Sequence, residues 1–227
     1  VHRDAYPSPP PWSGSLRAEV EKGFATTGAD TPGWPNPRPD MEPPADEEYS
    51  RCLDPGKYRI LDARVAAWAQ VLAGRGLAST SDLPAASAAT WIGAFRGVEG
   101  LLRVQEIRPV RPRGLALLLA TTLVDGEPFG LDIAVAGDTA APVLIDAMPS
   151  CGCDACDDGS ASLLDDLDGW FVVVATGGVV HARDGKRSIT RTADGWQGTG
   201  DDLDEAWLRA ETPVPPGMRR WIGAPWL

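Results

Sequence analysis

From Leu115 to Val124 the chain passes through ten residues without a charge, and only Thr121 and Thr122 among them are polar. A run of that length and character fits a strand buried in the middle of a sheet, with no polar face to show to water. Asp125-Gly126 follows as a turn signal. Phe129, Leu131, Ile133 and Val135 then alternate with polar or small residues, the period of a second strand. Val143 to Met148 makes a further short strand, and Leu102, Val104 and Ile107 mark one before the central run. Three or four strands joined by short connections predict an antiparallel sheet.

Helical periods flank this core. Leu16, Val20 and Phe24 recur at spacing four behind Ser13-Gly-Ser15 as a cap, with Gly28 as the stop. Asp54 and Pro55 open the clearest helix, in which Tyr58, Leu61, Val65, Trp68 and Leu72 share a face up to Gly74. Residues 77–90 are small and polar and read as loop. Ser160 caps a third helix carrying Leu163, Leu164, Leu167, Trp170, Phe171 and Val174; Val172-Val173-Val174 argues for a strand, but the spacing favours helix up to Gly177-Gly178. Val179 to Arg183 and Lys186 to Thr192 form a hairpin across Asp184-Gly185, which sets His181 opposite Ser188 on a polar face. Leu203, Ala206 and Trp207 suggest a short last helix.

Six prolines between Asp30 and Glu48 make that stretch extended and irregular. Trp34-Pro-Asn-Pro-Arg-Pro39 reads as an arm laid over its own domain with Trp34 as anchor, or as a polyproline ligand for an aromatic groove. The expected fold is α+β, a single domain of antiparallel sheet, packed helices and proline-rich arms. Residues 1–50 form the N-terminal helix and arm, and residues 51–227 form the α+β domain.

Charge is unevenly placed. Lys and Arg are absent from Gly114 to Ala182, a stretch with eleven acids that accounts for the formal net charge of −11. Such a block repels phosphate backbones and excludes general nucleic-acid binding. It reads as a solvated face or as a surface for a basic protein partner or a cation. No apolar run reaches the ~20 residues a helix needs to cross a bilayer, so no membrane partner is expected. Without an apolar leader segment, the cytoplasm is the expected compartment. Cysteines there stay reduced or bind metal.

Most common catalytic signatures are missing. The chain has two histidines, His2 and His181. It carries no G-x-S-x-G elbow, P-loop or G-x-G-x-x-G motif after a strand. What it does carry is Cys151-Gly-Cys153-Asp-Ala-Cys156, three of its four cysteines within six residues. Cys153-x-x-Cys156 has the knuckle spacing by which two thiolates grip one tetrahedral ion. Three thiolates beside Asp154, Asp157 and Asp158 would repel one another, and a divalent cation relieves that repulsion. Cys151, Cys153 and Cys156 are therefore candidate metal ligands, with zinc as the candidate ion. Cys52, His181 or an aspartate is left to supply the fourth donor. A redox pair and plain reduced thiols are the alternatives, the first weakened because acidic neighbours do not lower a thiol pKa.

At these residues the chain resembles an uncharacterised actinobacterial family of unknown function. The likeness runs nearly full length. It rests on Trp34 to Pro39, Asp46 to Arg51, Asp54-Pro55, Ala63-Arg64, Ala67-Trp68, the C-G-C-D-A-C-D run from Cys151 to Asp157, Leu164 to Asp168, Asp194 to Trp196 and Trp226-Leu227. The resemblance implies a discrete cytoplasmic module in which the three-cysteine loop belongs to the pattern, and it brings no activity. Two functions stand against each other. One is a non-catalytic binding or regulatory module with the cysteine loop as staple. The other is an enzyme with a cysteine- or metal-centred site, which would need a polar pocket beside the sulfurs.

Overall fold

A computed structural model describes residues 10–92, 100–137, 141–192 and 195–227. The chain folds as a single α+β domain. Its first sheet is an antiparallel meander, β1 (Ala78–Leu83), β2 (Leu101–Pro109), β3 (Ala116–Val124), β4 (Glu127–Ala136) and β5 (Val143–Met148), in that spatial order. Asp125 and Gly126 both take positive φ, which turns β3 into β4 in two residues. The uncharged run of β3 has its explanation in burial on both faces. Leu117, Leu119, Leu131 and Ile133 pack with helical residues such as Leu61, Trp68, Leu167 and Phe171. Leu118, Ala120 and Ala134 meet Ala88 and Trp91 on the other side.

Three α-helices occur among the described residues: α1 (Pro11–Thr27), α2 (Ile60–Gly74) and α3 (Ser160–Ala175). Helix α1 starts ahead of the expected cap: Pro11 opens it, and Ser13 lies inside, its Oγ donating back to the Pro10 carbonyl at 2.7 Å. The helix expected from Pro55 begins as a 3-10 turn over Pro55–Arg59 and becomes α-helical at Ile60. Tyr58, Leu61, Val65, Trp68 and Leu72 are all buried, as their spacing required. In α3 every residue from Trp170 to Ala175 is buried, so the valine run serves a helix enclosed on several sides.

Several expectations need correction. The stretch 77–90 holds the edge strand β1 and a 3-10 turn over Ala85–Thr90. Ser79 to Asp82 are exposed, so the strand carries no apolar alternation to read. A second antiparallel sheet lies beyond α3, in the order β8 (Gly195–Thr199), β7 (Ser188–Thr192), β6 (Val180–Arg183), β9 (Arg219–Ile222). Only its central hairpin was foreseen, and with the wrong register. Arg183 pairs with Ser188 and His181 with Thr190. The Asp184 carboxylate accepts from the amides of Lys186 and Arg187, which makes the connection a four-residue loop. His181 is buried in place of the expected exposed position: its Nδ1 lies 2.7 Å from Thr190 Oγ1 and its ring stacks on Trp221 of β9. Burial and nearby Arg183 hold its pKa down to about 4. The expected last helix is a 3-10 turn over Glu205–Leu208. The tail then returns to the first sheet, where Trp226 is buried and its Nε1 donates to the Leu115 carbonyl at 3.1 Å. Among the described residues, no helix is long and apolar enough to cross a membrane.

Candidate metal centre

The cysteine loop lies between the end of β5 and the start of α3. Residues Asp154–Cys156 form a 3-10 turn. That turn closes the Cys153-x-x-Cys156 spacing, and extended backbone at Cys153 brings Cys151 to the same side. The three sulfurs converge: they all lie within 4.8 Å of one another, and the Cys151 and Cys153 Sγ atoms are 3.1 Å apart. All four cysteines are free thiols. No other group of three or more His, Cys, Asp or Glu side chains converges in this way among the described residues.

Four thiolates or imidazoles around zinc, with Zn–S near 2.3 Å, place sulfurs about 3.8 Å apart. The sulfur triangle, with one edge of 3.1 Å and every edge within 4.8 Å, is compatible with that spacing. The donor set is soft and suits zinc or another thiophilic cation. The thiols also share protons unequally. The hydrogen bond from Cys151 lowers the Cys153 pKa, whereas Cys156, facing Cys153 and Cys151, is pushed up to about 11. None of the expected fourth donors, Cys52, His181 or a described aspartate, joins the group. Cys52 is half-buried outside it, with its thiol pKa raised by burial. His181 belongs to the second sheet. His2 lies outside the described residues.

The proline-rich arm clamps the loop from outside. Arg38 Nη2 donates to the carbonyls of Asp154, Ala155 and Asp157 at 2.9, 2.6 and 3.3 Å. Asp157 is buried and accepts from Trp34 Nε1 at 2.9 Å, from Lys57 Nζ at 2.5 Å and from the Gly159 amide at 2.8 Å. Burial raises this carboxyl, but those donors outweigh it, and its pKa ends below the usual aspartate value. Ser160 does not cap α3: its Oγ accepts from the Trp34 amide at 2.9 Å and pairs with the Trp34 carbonyl at 3.0 Å. Arg51 Nε and the Leu53 amide hold the Asp154 carboxylate. Trp34 thus ties its stretch to the cysteine loop and the start of α3.

Two glycines make this docking possible. A Cβ on Gly152 would run into the Phe129 ring. Gly159 has φ +87°, and a Cβ there would lie 2.6 Å from the Asn36 amide nitrogen. Below the loop, Trp34, Tyr58 and Phe129 stand edge to face in series, with centroids 5.8 and 5.2 Å apart. Burial, with Asp157 close by, raises the Tyr58 pKa well above its ordinary value, so Tyr58 is a neutral phenol at physiological pH.

Beside the sulfurs is an open cleft of about 150 Å³. Cys151 and Cys156 stand in its wall with Asp146, Asp157, Asp158 and Asp166; Cys153 does not. The acidic segment is therefore not one solvated face. Its Asp154, Asp157, Asp165 and Asp168 pair with Arg51, Lys57, Arg17 and Arg64 from the N-terminal part of the chain. Sequence reasoning missed Trp34, Arg38 and Lys57 as partners of the loop, because each contact spans a hundred residues or more.

No curated protein and no solved structure matches the chain. The profile of the Family of unknown function (DUF6226) matches residues 20–227, and the chain belongs to that family.

Proposed function

We propose that this protein is a non-catalytic binding or regulatory module in which Cys151, Cys153 and Cys156 hold a zinc ion as a staple. The observation that carries this reading is the convergence of three sulfurs in the loop that bears the docked arm. The carbonyls gripped by Arg38 belong to the turn that brings Cys153 and Cys156 together. Fixing that turn with an ion fixes the surface on which Trp34 and Arg38 sit. Residues 1–50 act in this reading as a brace on the 51–227 domain.

The enzyme reading has one observation in its favour, the polar cleft at Cys151 and Cys156. A cysteine nucleophile needs a nearby base or cation to hold its thiolate. His181 belongs to the other sheet and lines no part of the cleft, whose wall is acidic. The staple reading accounts for more of the site.

Metal content and thiol reactivity test it together, on protein purified without a histidine tag. About one zinc per chain is expected. The three loop thiols should react slowly in the native protein and quickly after denaturation with a chelator. Metal-free protein with three freely reactive thiols in the native state would end the staple reading.

A further inference from the structure

The Cys151 and Cys153 Sγ atoms, 3.1 Å apart, need about 1 Å of further approach to share a bond. Side-chain rotation can supply it, because Cys151 is exposed and residues 150–153 belong to no helix or strand. Cys151 also stands in the wall of the cleft, whereas Cys153 is half-buried and outside it. A small reagent entering the cleft therefore meets Cys151 with a second sulfur already in contact. Reaction with an oxidant needs thiolate, which acidic neighbours do not favour. A coordinated divalent ion supplies it, since a thiol bound to such an ion is deprotonated outright. Resting on the staple reading, we infer that Cys151 and Cys153 are a redox-modification site, which a hydroperoxide converts to a disulfide with release of the ion.

The Cys151 thiolate attacks one peroxide oxygen and the O–O bond breaks. Cys151 becomes a sulfenic acid, and the departing hydroxide takes a proton to become water. The Cys153 thiolate then attacks the Cys151 sulfur. The S–S bond forms, the S–O bond breaks, and the second hydroxide leaves as water with a proton from solvent. Two electrons pass from the sulfurs to the peroxide. Thiolates are the ligand form of cysteine, so the bond removes two of the three donors and leaves Cys156 alone. Slow reaction of the native thiols with bulky reagents agrees with this, because peroxide is small enough for a cleft of about 150 Å³.

Hydrogen peroxide is the probe, on untagged protein whose zinc content is measured first. A protease that cuts before aspartate releases residues 146–153, with Cys151 and Cys153, apart from residues 154–156, with Cys156. After peroxide, an acid quench and alkylation of free thiols, peptide 146–153 should be unalkylated and lighter by two hydrogens, and peptide 154–156 alkylated. About one zinc per chain should reach a chromogenic chelator with the rate constant of bond formation. A phosphine reductant should restore both thiols. A cross-link between the two peptides would overturn the assigned pair, and sulfinic or sulfonic acid in place of a disulfide would overturn the switch. Zinc retained by chains that carry the bond would overturn the release. Zinc-bearing protein that forms no bond would overturn this inference and leave the staple standing. A bond formed in protein that never held zinc would end the staple reading and the release with it, while the disulfide stood.

Discussion

Two aspartates in this molecule have the same kind of partners and do different work. Asp168, on α3, accepts from Trp68 Nε1 at 2.6 Å and from both arms of the Arg64 guanidinium, at 2.9 and 2.6 Å. Asp157, in the cysteine loop, accepts from Trp34 Nε1 and Lys57 Nζ. Each joins a carboxylate to an indole N–H and a cation. The difference lies in what they connect. Arg64 and Trp68 sit one turn apart on α2, so Asp168 ties two rigid helices, and Arg64 also reaches Glu21 on α1. Asp157 ties a loop to an arm and a 3-10 turn. One triad locks the core. The other works with Arg38 and Ser160 to hold the arm down beside three converging sulfurs.

The largest expected effect comes from breaking the core triad. Asp168→Ala leaves the Arg64 guanidinium buried without its bidentate partner, which costs about 3–5 kcal/mol of global stability. Urea denaturation checks this. Trp34→Ala removes a charge-assisted hydrogen bond and the edge contact with Tyr58, at about 2 kcal/mol. Its signature is local: proteolysis within residues 30–48 accelerates while the global unfolding midpoint moves less than in Asp168→Ala.

Gly159→Ala attacks the same docking through the backbone. A side chain at φ +87° is strained, and its Cβ would press on the Asn36 amide. Strain of this kind costs about 1–3 kcal/mol. We expect Gly159→Ala to free the arm much as Trp34→Ala does, read by the same proteolysis. Gly14→Ala is the control in α1, where nothing lies within 4 Å of the new Cβ. It should stabilise the protein by about 0.5–1 kcal/mol and leave the arm alone.

Acid sharpens the comparison further. The Asp157 pKa is depressed in the folded protein. Its contribution is therefore complete above the ordinary aspartate value of about 3.9 and is lost as pH falls through the lower, folded value. Arm release followed by hydrogen exchange of amides within residues 30–48 should show an acid limb below that value, and Asp157→Asn should abolish the limb. An unchanged limb in the variant would assign the titration elsewhere.

How far these features could be read from the chain depends on the range of the physics behind them. The apolar run of β3 declares a buried strand because both faces of that strand are covered. The cysteine cluster is legible because its three thiols lie within six residues, where spacing alone dictates geometry. Strands β1 and β8 were not legible: they are edge strands with exposed residues at nearly every position, and they follow their neighbours through backbone pairing. The β6–β7 register was misread because Asp184 folds its own carboxylate onto the next amides, which outcompetes a tight Asp-Gly turn. Ser160 looked like a helix cap and spends its hydroxyl on Trp34 instead. Nothing local in Asp157 announces Trp34, 123 positions away.

Hydrogen exchange with and without a zinc chelator puts the two triads side by side. If a bound ion holds the cysteine loop, and the loop holds the arm, chelation should strip protection from amides in residues 30–50 and 151–159 together. Amides of α2 and α3 around Arg64, Trp68 and Asp168 should keep theirs. Protection that is the same in both segments before and after chelation would contradict the account.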